Sequence, residues 1–288
     1  MTAHNYKPIL EILEDRLKAS KPQASFADTF ADIDDDLFAF LLLKDFDGYP
    51  NVKAALPDWP PDAIRIDSVG NFPLAESVKE ALSFYKRVRE WQSKYGNVPF
   101  DEASVLDYGC GWGRMLRVFG KNVLPDKLYG CDPNPVFIDF CKSLRVPGNI
   151  RLSDWESRQR AFDLEFDLAY CFSVFTHTSE ILQVNILERL AEMLTSDGLL
   201  IATVRPGSLI ESVGGEMEYF TEEEKLDWLR RFEKGSFLYK PYPGSIHWGI
   251  TVIPEDYLAA NWTKHFELLE IACFYQNWTQ VPVILRRK

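Results

Sequence analysis

A single stretch, SVLDYGCGWGRMLRVF at residues 104–119, constrains the fold of this chain more than any other. It begins with apolar and β-branched residues typical of a buried strand, and it ends with apolar residues at helical spacing. Between them, Gly109, Gly111 and Gly113 occupy every second position. Glycines place no Cβ atoms between a ligand and the backbone, and the first turn of a helix presents unpaired N–H groups. The stretch therefore predicts a strand, a nucleotide-type binding turn and a helix.

Strand and helix patterns alternate from this stretch onward. Strands are predicted at residues 104–108, 127–131, 149–153, 166–174 and 199–204, with a turn at 195–198 before the fifth. Helices are predicted between them, and two further strands, 266–274 and 281–286, close the chain. Such alternation predicts an α/β fold with a doubly wound, parallel sheet and right-handed crossovers.

The regions on either side of the alternating core predict the domain organisation. Residues 1–74 are expected to form a helical N-terminal extension, and residues 75–288 the ligand-binding domain, with an insertion at about 207–262 after the fifth strand. Five aspartates lie between Asp28 and Asp36. We interpret them as a solvated helix face or loop, because the run lacks the glycine and distal glutamate of a calcium loop.

Composition excludes several classes of partner. The 288 residues carry a net charge of -11, which opposes binding to nucleic acids and anionic membranes. The N-terminus lacks a signal-peptide pattern, and the longest apolar run, residues 37–43, is too short to span a bilayer. The five cysteines are scattered without a C-x-x-C pair, so we expect buried free thiols in a reducing cytoplasm and neither disulfides nor a metal site.

Three acids fall at the ends of the first three predicted strands, where open parallel sheets bind ligands: Asp107, Asp132 and Asp154. Asp132 follows Gly113 by 19 residues, and an acid at about this separation along the sequence typically binds a ribose diol. That arrangement also fits a nicotinamide dinucleotide. Two features oppose it: the glycine spacing is G-x-G-x-G, and Asp107 would be unfavourable beside a pyrophosphate. The same carboxylate suits a ligand with an ammonium or sulfonium group.

These motifs resemble those of a known family. VLDYGCGWGR is similar to the first motif of the class I S-adenosylmethionine-dependent methyltransferases, V-L-D/E-x-G-C-G-x-G. The similarity extends in the same order through LYGCDPNP, LSDW, FDLAYCFSVFTH and LTSDGLLIATV, and it covers about residues 80–205. The resemblance implies a Rossmann-like, mostly parallel seven-stranded sheet with an antiparallel last strand. It also implies S-adenosylmethionine as the cofactor.

The resemblance assigns a set of cofactor-binding residues. They are Asp107, Gly109, Cys110, Gly111 and Gly113 at the methionine end, Asp132, Pro133 and Asn134 at the adenosine, Asp154 and Trp155 at the adenine, and Phe172 and Ser173 near the sulfonium. Within this set, Asp132 is implied to bind the ribose hydroxyls.

Two histidines are candidates for catalysis. Methyl transfer from a sulfonium is an in-line displacement, which needs a base only if the acceptor must lose a proton. His177 in SVFTHTSE is the first candidate base, and its alternative role is to shape or cap the following helix. His247 is a second candidate for base or substrate contact, or else a packing residue. The insertion also holds aromatic residues that line the acceptor pocket or pack the insertion: Tyr219, Phe220, Trp228, Phe237, Tyr239, Tyr242 and Trp248.

The leading hypothesis is a methyltransferase that acts at an oxygen of a small molecule. DWPPD and the terminal QNWTQVPVILRRK are similar to bacterial methyltransferases encoded with glycan or natural-product pathways, which makes a sugar or natural-product intermediate a candidate acceptor. The alternatives are a methyltransferase-like protein that binds the cofactor without catalysis and an NAD-dependent oxidoreductase. Protein or nucleic-acid methylation is also open, although CFSV stands where nucleic-acid members carry N/D-P-P-Y/F. The sequence leaves the acceptor and the oligomeric state open.

Overall fold

A computed structural model describes residues 6–19, 25–69, 73–212, 215–272 and 280–288. Its strands are β1 (Val105–Tyr108), β2 (Leu128–Asp132), β3 (Asn149–Leu152), β4 (Phe166–Cys171), β5 (Leu194–Val204), β6 (Leu238–Pro241), β7 (Gly249–Val252), β8 (Phe266–Ile271) and β9 (Val281–Arg287). Its α-helices are α1 (Lys7–Ala19), α2 (Phe26–Phe30), α3 (Asp35–Leu43), α4 (Pro50–Ala55), α5 (Asp62–Val69), α6 (Leu74–Tyr95), α7 (Arg114–Phe119), α8 (Pro135–Ser143), α9 (Glu180–Met193), α10 (Glu222–Phe232) and α11 (Glu255–Asn261). No helix in these described ranges is long and apolar enough to cross a membrane.

Seven strands form the central sheet in the order β3-β2-β1-β4-β5-β9-β8. The strands from β3 to β5 pair in parallel, and β9 runs antiparallel to both β5 and β8. Successive residues of β4 point to opposite faces: Leu168 belongs to the apolar core beneath α6, and Ala169 to the core beneath α9. The predicted fold class, a mostly parallel seven-stranded sheet with an antiparallel last strand, is confirmed.

The bounds of β4 and β5 differ from the prediction by several residues. β4 ends at Cys171 and not at residue 174, and Ser173 lies in the left-handed region with φ +64°. The turn predicted at 195–198 is instead part of β5, which begins at Leu194. Because the pairing of β4 with β5 shifts register there and Asp197 adopts φ +64°, those residues form an irregularity inside the strand. Part of the predicted strand 266–274 lies outside the described residues.

The N-terminal aspartates cap helices and form ion pairs. Asp28 forms a capping box with Ser25 at the start of α2. Asp34 caps α3 by accepting two backbone N–H groups. Asp35 lies 2.8 Å from the nearly buried ammonium of Lys121. Asp28 and Asp34 therefore stabilise the starts of α2 and α3, and Asp35 anchors α3 to the residues that follow α7.

The insertion contains a small sheet that the sequence did not predict. Within it, β6 and β7 pair antiparallel. Its own apolar cluster consists of Ile210, Met217, Phe220, Trp228, Leu238, Ile250 and Val252. The backbone N–H of Gly249 donates to His177 O at 2.7 Å, and that of Thr251 donates to Thr176 O at 3.0 Å. The small sheet is therefore joined by backbone hydrogen bonds to the loop that follows β4.

Candidate active site

The three glycines of the turn between β1 and α7 have positive φ angles of 81°, 53° and 80°. A Cβ added at Gly109 would lie 2.4 Å from Val174 Cγ2, and one at Gly113 would lie 2.6 Å from Val146 Cγ1. A Cβ at Gly111 would meet nothing within 4 Å. Gly109 and Gly113 therefore allow close packing, whereas Gly111 leaves open space against its backbone for a ligand.

Asp132 ends β2 directly beside this turn. Its carboxylate accepts the backbone N–H of Gly111 at 2.9 Å and that of Asn134 at 2.8 Å. Burial raises the pKa of Asp132 to about 6, although these two hydrogen bonds act in the opposite direction. Each oxygen keeps a further lone pair, so the ionised carboxylate can still accept the two hydroxyls of a ribose.

Asp107 is a buried acid in β1 that precedes the turn by two residues. It is only 2% exposed, and its Oδ2 has no hydrogen-bond partner among the described residues. Burial raises the pKa of Asp107 well above its usual range, the Tyr170 hydroxyl opposes this, and the charge on Asp132 adds to it. A cationic ligand group would stabilise such a carboxylate, because a buried carboxylate favours an opposite charge nearby.

Cys110 and Asn134 form hydrogen bonds within the protein through their backbone N–H groups, to Cys131 O and to the Asp132 carboxylate. The Cys110 thiol lies under the turn, where a Cβ added at Gly130 would meet its sulfur at 3.2 Å. It is one of the buried free thiols, with Cys131, Cys141 and Cys171; Cys273 lies outside the described residues. The side chain of Asn134 caps α8 by accepting from Val136 N.

The ends of β3 and β4 carry the other predicted cofactor residues. Asp154 accepts backbone N–H groups from Glu156 and Arg158, and Trp155 is 59% exposed. Ser173 N donates to Thr203 Oγ1 at 2.7 Å, and Gln280 Nε2 donates to Ser173 Oγ at 3.0 Å. Thr203 and Gln280 therefore hold the left-handed residue after β4 in place.

His177 lies in the loop after β4 with both ring nitrogens engaged. Its Nδ1 is 3.0 Å from the carbonyl of Gly249, so Nδ1 carries the hydrogen. Its Nε2 is 3.2 Å from Arg205 Nη2 and accepts from it. Burial and the Arg205 charge lower the pKa of His177 to about 4, against the opposing charge of Glu216. The one lone pair on the neutral ring is therefore already committed to a hydrogen bond.

Arg205, which directly follows β5, joins this histidine to the insertion. It is 7% exposed and forms an ion pair with Glu216. Tyr242 Oη donates to Glu216 Oε1 at 2.5 Å. The Trp248 ring stacks on His177 with centroids 4.9 Å apart. These five residues, His177, Arg205, Glu216, Tyr242 and Trp248, are called the acceptor cluster below.

The aromatic residues of the insertion divide into two groups. Phe220 and Trp228 pack against each other with centroids 4.5 Å apart, and Phe237 packs on Tyr257. Tyr219 and Trp248, by contrast, are 61% and 43% exposed. Tyr219 and Trp248 are therefore the most exposed of these rings, whereas Phe237, Tyr239 and Tyr242 are half-buried.

His247 contacts Ser179, the residue that precedes α9. Its Nδ1 is 2.8 Å from Ser179 Oγ, and its carbonyl accepts the Ser179 N–H. These bonds tie the insertion to the residue that precedes the helix. The predicted catalytic or substrate-contact role of His247 is untested.

Comparison with known proteins identifies the family. Residues 106–200 match a family model described as a methyltransferase domain. The matched segment runs from β1 into β5, and it contains the glycine turn, Asp132 and Asp154. Residues 106–200 are therefore a methyltransferase domain, which supports the class I S-adenosylmethionine-dependent methyltransferase family over the NAD-dependent oxidoreductase alternative.

Solved structures support the fold of this methyltransferase. The PH0226 protein from Pyrococcus horikoshii OT3 is 12% identical, with a TM-score of 0.54 over 80% of this chain and 100% of that chain. An S-adenosylmethionine-dependent methyltransferase from Clostridium acetobutylicum ATCC 824 is 11% identical, with a TM-score of 0.51 over 78% and 97% of the two chains. No curated protein matches the sequence.

The site of the methyltransferase fits the cofactor of its class. S-Adenosylmethionine presents a cationic methionine end and a ribose diol, and the site offers the unpartnered Oδ2 of Asp107, the open face of Gly111 and the carboxylate of Asp132. The individual cofactor contacts stay predictions. Sequence reasoning missed Arg205 and Glu216, and the only local signal was an arginine directly after an apolar strand.

Proposed function

We propose that the methyltransferase transfers a methyl group to an oxygen of a small-molecule acceptor that binds at the acceptor cluster. One observation carries the proposal: the cluster lies where β4 and β5 end, at the same edge of the sheet as the glycine turn. Ligands of open α/β sheets bind along this edge. A methyl donor on the turn and an acceptor at the cluster would therefore meet near Ser173.

The surface around the cluster favours a small acceptor with apolar or sugar-like faces. Tyr219 and Trp248 present exposed rings, and Glu216 and Tyr242 supply polar groups between them. Aromatic walls with a few placed polar groups are typical of small-molecule sites. The net charge of -11 opposes a nucleic-acid acceptor. A sugar or natural-product hydroxyl fits this combination.

Glu216 is the group proposed to receive the acceptor hydroxyl. The Nε2 lone pair of His177 is occupied by Arg205, which leaves that ring to position the guanidinium. Glu216 accepts from Arg205 and Tyr242, and a carboxylate has further lone pairs for a third donor. Bound S-adenosylmethionine supplies the methyl group on a sulfonium. The cluster's part is to hold the acceptor oxygen in line with it, and the Glu216 carboxylate would take the hydroxyl proton as the bond from oxygen to the methyl carbon forms and the bond from sulfur to that carbon breaks.

Calorimetry and a transfer assay test the proposal together. We expect S-adenosylhomocysteine to bind the full chain, and methyl-labelled S-adenosylmethionine to label hydroxyl-bearing sugars or natural-product scaffolds in a panel. Glu216→Gln should keep the wild-type Kd for S-adenosylhomocysteine and lose most turnover. Absence of cofactor binding would refute the proposal. Binding without transfer to any small molecule would favour the non-catalytic alternative.

A further inference from the structure

We propose that the elbow at residues 57–62, PDWPPD, acts with Arg117 as a clamp that holds the glycine turn in its cofactor-binding shape. This proposal rests on the proposed function, because it takes the turn to be the cofactor site. The clamp is defined as Asp58, Trp59 and Arg117. It assigns a positioning role to a motif of the N-terminal extension, which would act on the cofactor site through Arg117.

Arg117 connects the turn to the elbow through one guanidinium. Its side chain has no exposed surface. Nη1 donates to Trp112 O at 2.7 Å and to Gly113 O at 2.8 Å. Nε and Nη2 both donate to Asp58 O, at 3.2 and 2.6 Å. A guanidinium that is buried away from water needs hydrogen-bond acceptors for its N–H groups. The three carbonyls therefore fix the position of the guanidinium, and the guanidinium fixes the positions of the carbonyls.

Two indole rings enclose this guanidinium. The Arg117 Cζ lies 4.8 Å from the Trp59 ring centroid and 5.5 Å from that of Trp112. The two rings meet edge to face, with centroids 5.7 Å apart. Trp59 Nε1 donates to Leu42 O at the end of α3 with a distance of 2.7 Å. The indole that covers Arg117 is therefore anchored in the N-terminal helices.

The burial of Arg117 has an electrostatic consequence. It lowers the pKa of the guanidinium to about 10, and the charge on Asp58 acts in the opposite direction. The group stays protonated at neutral pH. Because the charge cannot be lost, removing the carbonyls or the rings around it would leave it poorly compensated.

The elbow also holds α8, the helix that begins three residues after Asp132. Asp58 N donates to Leu144 O, the residue that ends α8, at 3.0 Å. The Asp58 carboxylate lies 2.6 Å from Lys44 Nζ and 3.0 Å from Arg145 Nη2. Arg145 Nη2 also donates to Leu56 O at 2.9 Å. The same elbow thus contacts the glycine turn and the far end of α8.

The clamp acts on the residues that directly follow Gly111. Gly113 adopts φ +80° and precedes α7, and its carbonyl is held by Arg117. A turn ordered before the ligand arrives costs less to bind than one that must be ordered on binding. Loss of the clamp should therefore weaken cofactor affinity more than its effect on overall stability accounts for.

The test compares clamp variants with a stability-matched control. Arg117→Met and Trp59→Ala are expected to weaken S-adenosylhomocysteine binding about tenfold by calorimetry, which corresponds to about 1.4 kcal/mol. Trp59→Phe, which keeps an aromatic face, should stay within about threefold of wild type. Leu13→Ala truncates a fully buried residue of α1 that makes none of the clamp contacts. It should lower Tm comparably and leave the Kd within about twofold of wild type.

Amide hydrogen exchange of the cofactor-free protein supplies a readout independent of binding. Exchange at residues 111–116 should be faster in Arg117→Met than in Leu13→Ala when each variant is measured at a temperature equally far below its own Tm. Wild-type affinity in the clamp variants, or an equal loss in Leu13→Ala, would overturn the clamp. If Arg117→Met does not fold, the Trp59→Phe and Trp59→Ala pair decides. Failure of the wild type to bind would instead refute the proposed function, while the exchange comparison still tests the clamp.

Discussion

Lowering the pH from 7.5 to 5 should weaken S-adenosylhomocysteine binding by the methyltransferase about tenfold. The cause is Asp132, whose pKa burial raises to about 6. A carboxyl with this pKa is mostly protonated below pH 6, and only its ionised form would accept both hydroxyls of the ribose that Asp132 is predicted to bind. Below that pH, each unit removes up to a factor of ten in the binding-competent fraction, which is about one tenth at pH 5.

The assay is isothermal titration from pH 5 to 8 at constant ionic strength, with Asp132→Asn as control. Ionisation of Asp132 costs the fold about 3 kcal/mol, from a shift of about two pKa units at 1.36 kcal/mol each. Asparagine removes that cost but leaves one backbone N–H unpaired, at about 1–3 kcal/mol. The variant should therefore fold with nearly wild-type Tm, bind weakly and lose the pH dependence.

Two results would refute this reasoning. A wild-type Kd that is constant from pH 5 to 8 would mean that Asp132 is already ionised throughout or does not contact the ligand. An Asp132→Asn profile that keeps the wild-type bend would assign the titration to another group. The neighbouring Asp107 is then the first to test, because its pKa is also raised by burial.

Three further outcomes follow from the site. Gly111→Ala should lower the unfolding free energy by about 1 kcal/mol, because alanine is strained at φ +53°. It should also abolish S-adenosylhomocysteine binding, because the new Cβ would occupy the open space that Gly111 leaves for the ligand. Gly109→Ala, whose Cβ would meet Val174, should lower Tm more; the reverse ranking would contradict the packing. The pH profile of turnover should show no inflection near pH 6.5 from His177, because the pKa of this histidine is lowered to about 4 and its ring is neutral above that value. An inflection that disappears in His177→Gln would instead show that His177 is the base. Trp248→Ala should raise the acceptor KM about tenfold with the cofactor Kd unchanged, and a loss of cofactor binding would show that the indole is structural.

The main sheet was predictable because its signals are local. A strand buried on both faces is mostly apolar, as FDLAYC is apart from Asp167, and the turn after β1 is marked by its glycines. The β6–β7 pair was not predictable from its Gly, Pro and aromatic residues. Its hydrogen bonds run partly to the loop at residues 176–179, some 70 residues earlier in the chain, and no local pattern encodes such a pairing.

The candidate site divides in the same way. Asp107, Asp132 and Asp154 stand at strand ends, so topology alone brings them to one edge. Glu216 reaches its site from a short 3-10 helix, Gly215–Tyr219, and is defined by its pairing with Arg205. The state of the His177 ring depends on that same arginine, which the sequence could not connect to it.

The backbone hydrogen bonds between β7 and the loop after β4 fix the position of the small sheet independently of the side chains that face solvent beside it. Residues 249–251 hold the loop through the backbone N–H groups of Gly249 and Thr251, and Thr251 Oγ1 also donates to Thr178 O. The connecting segment at 242–248 carries the exposed Trp248 indole and the half-buried Tyr242 phenol, and Tyr242 N donates to Trp248 O to close it. Exchanging that segment alone should alter which molecules are accepted while the register of the small sheet is kept. We therefore expect the side chains of residues 242–248 to tune acceptor range, while Arg205 and Glu216 keep the polar centre of the acceptor cluster.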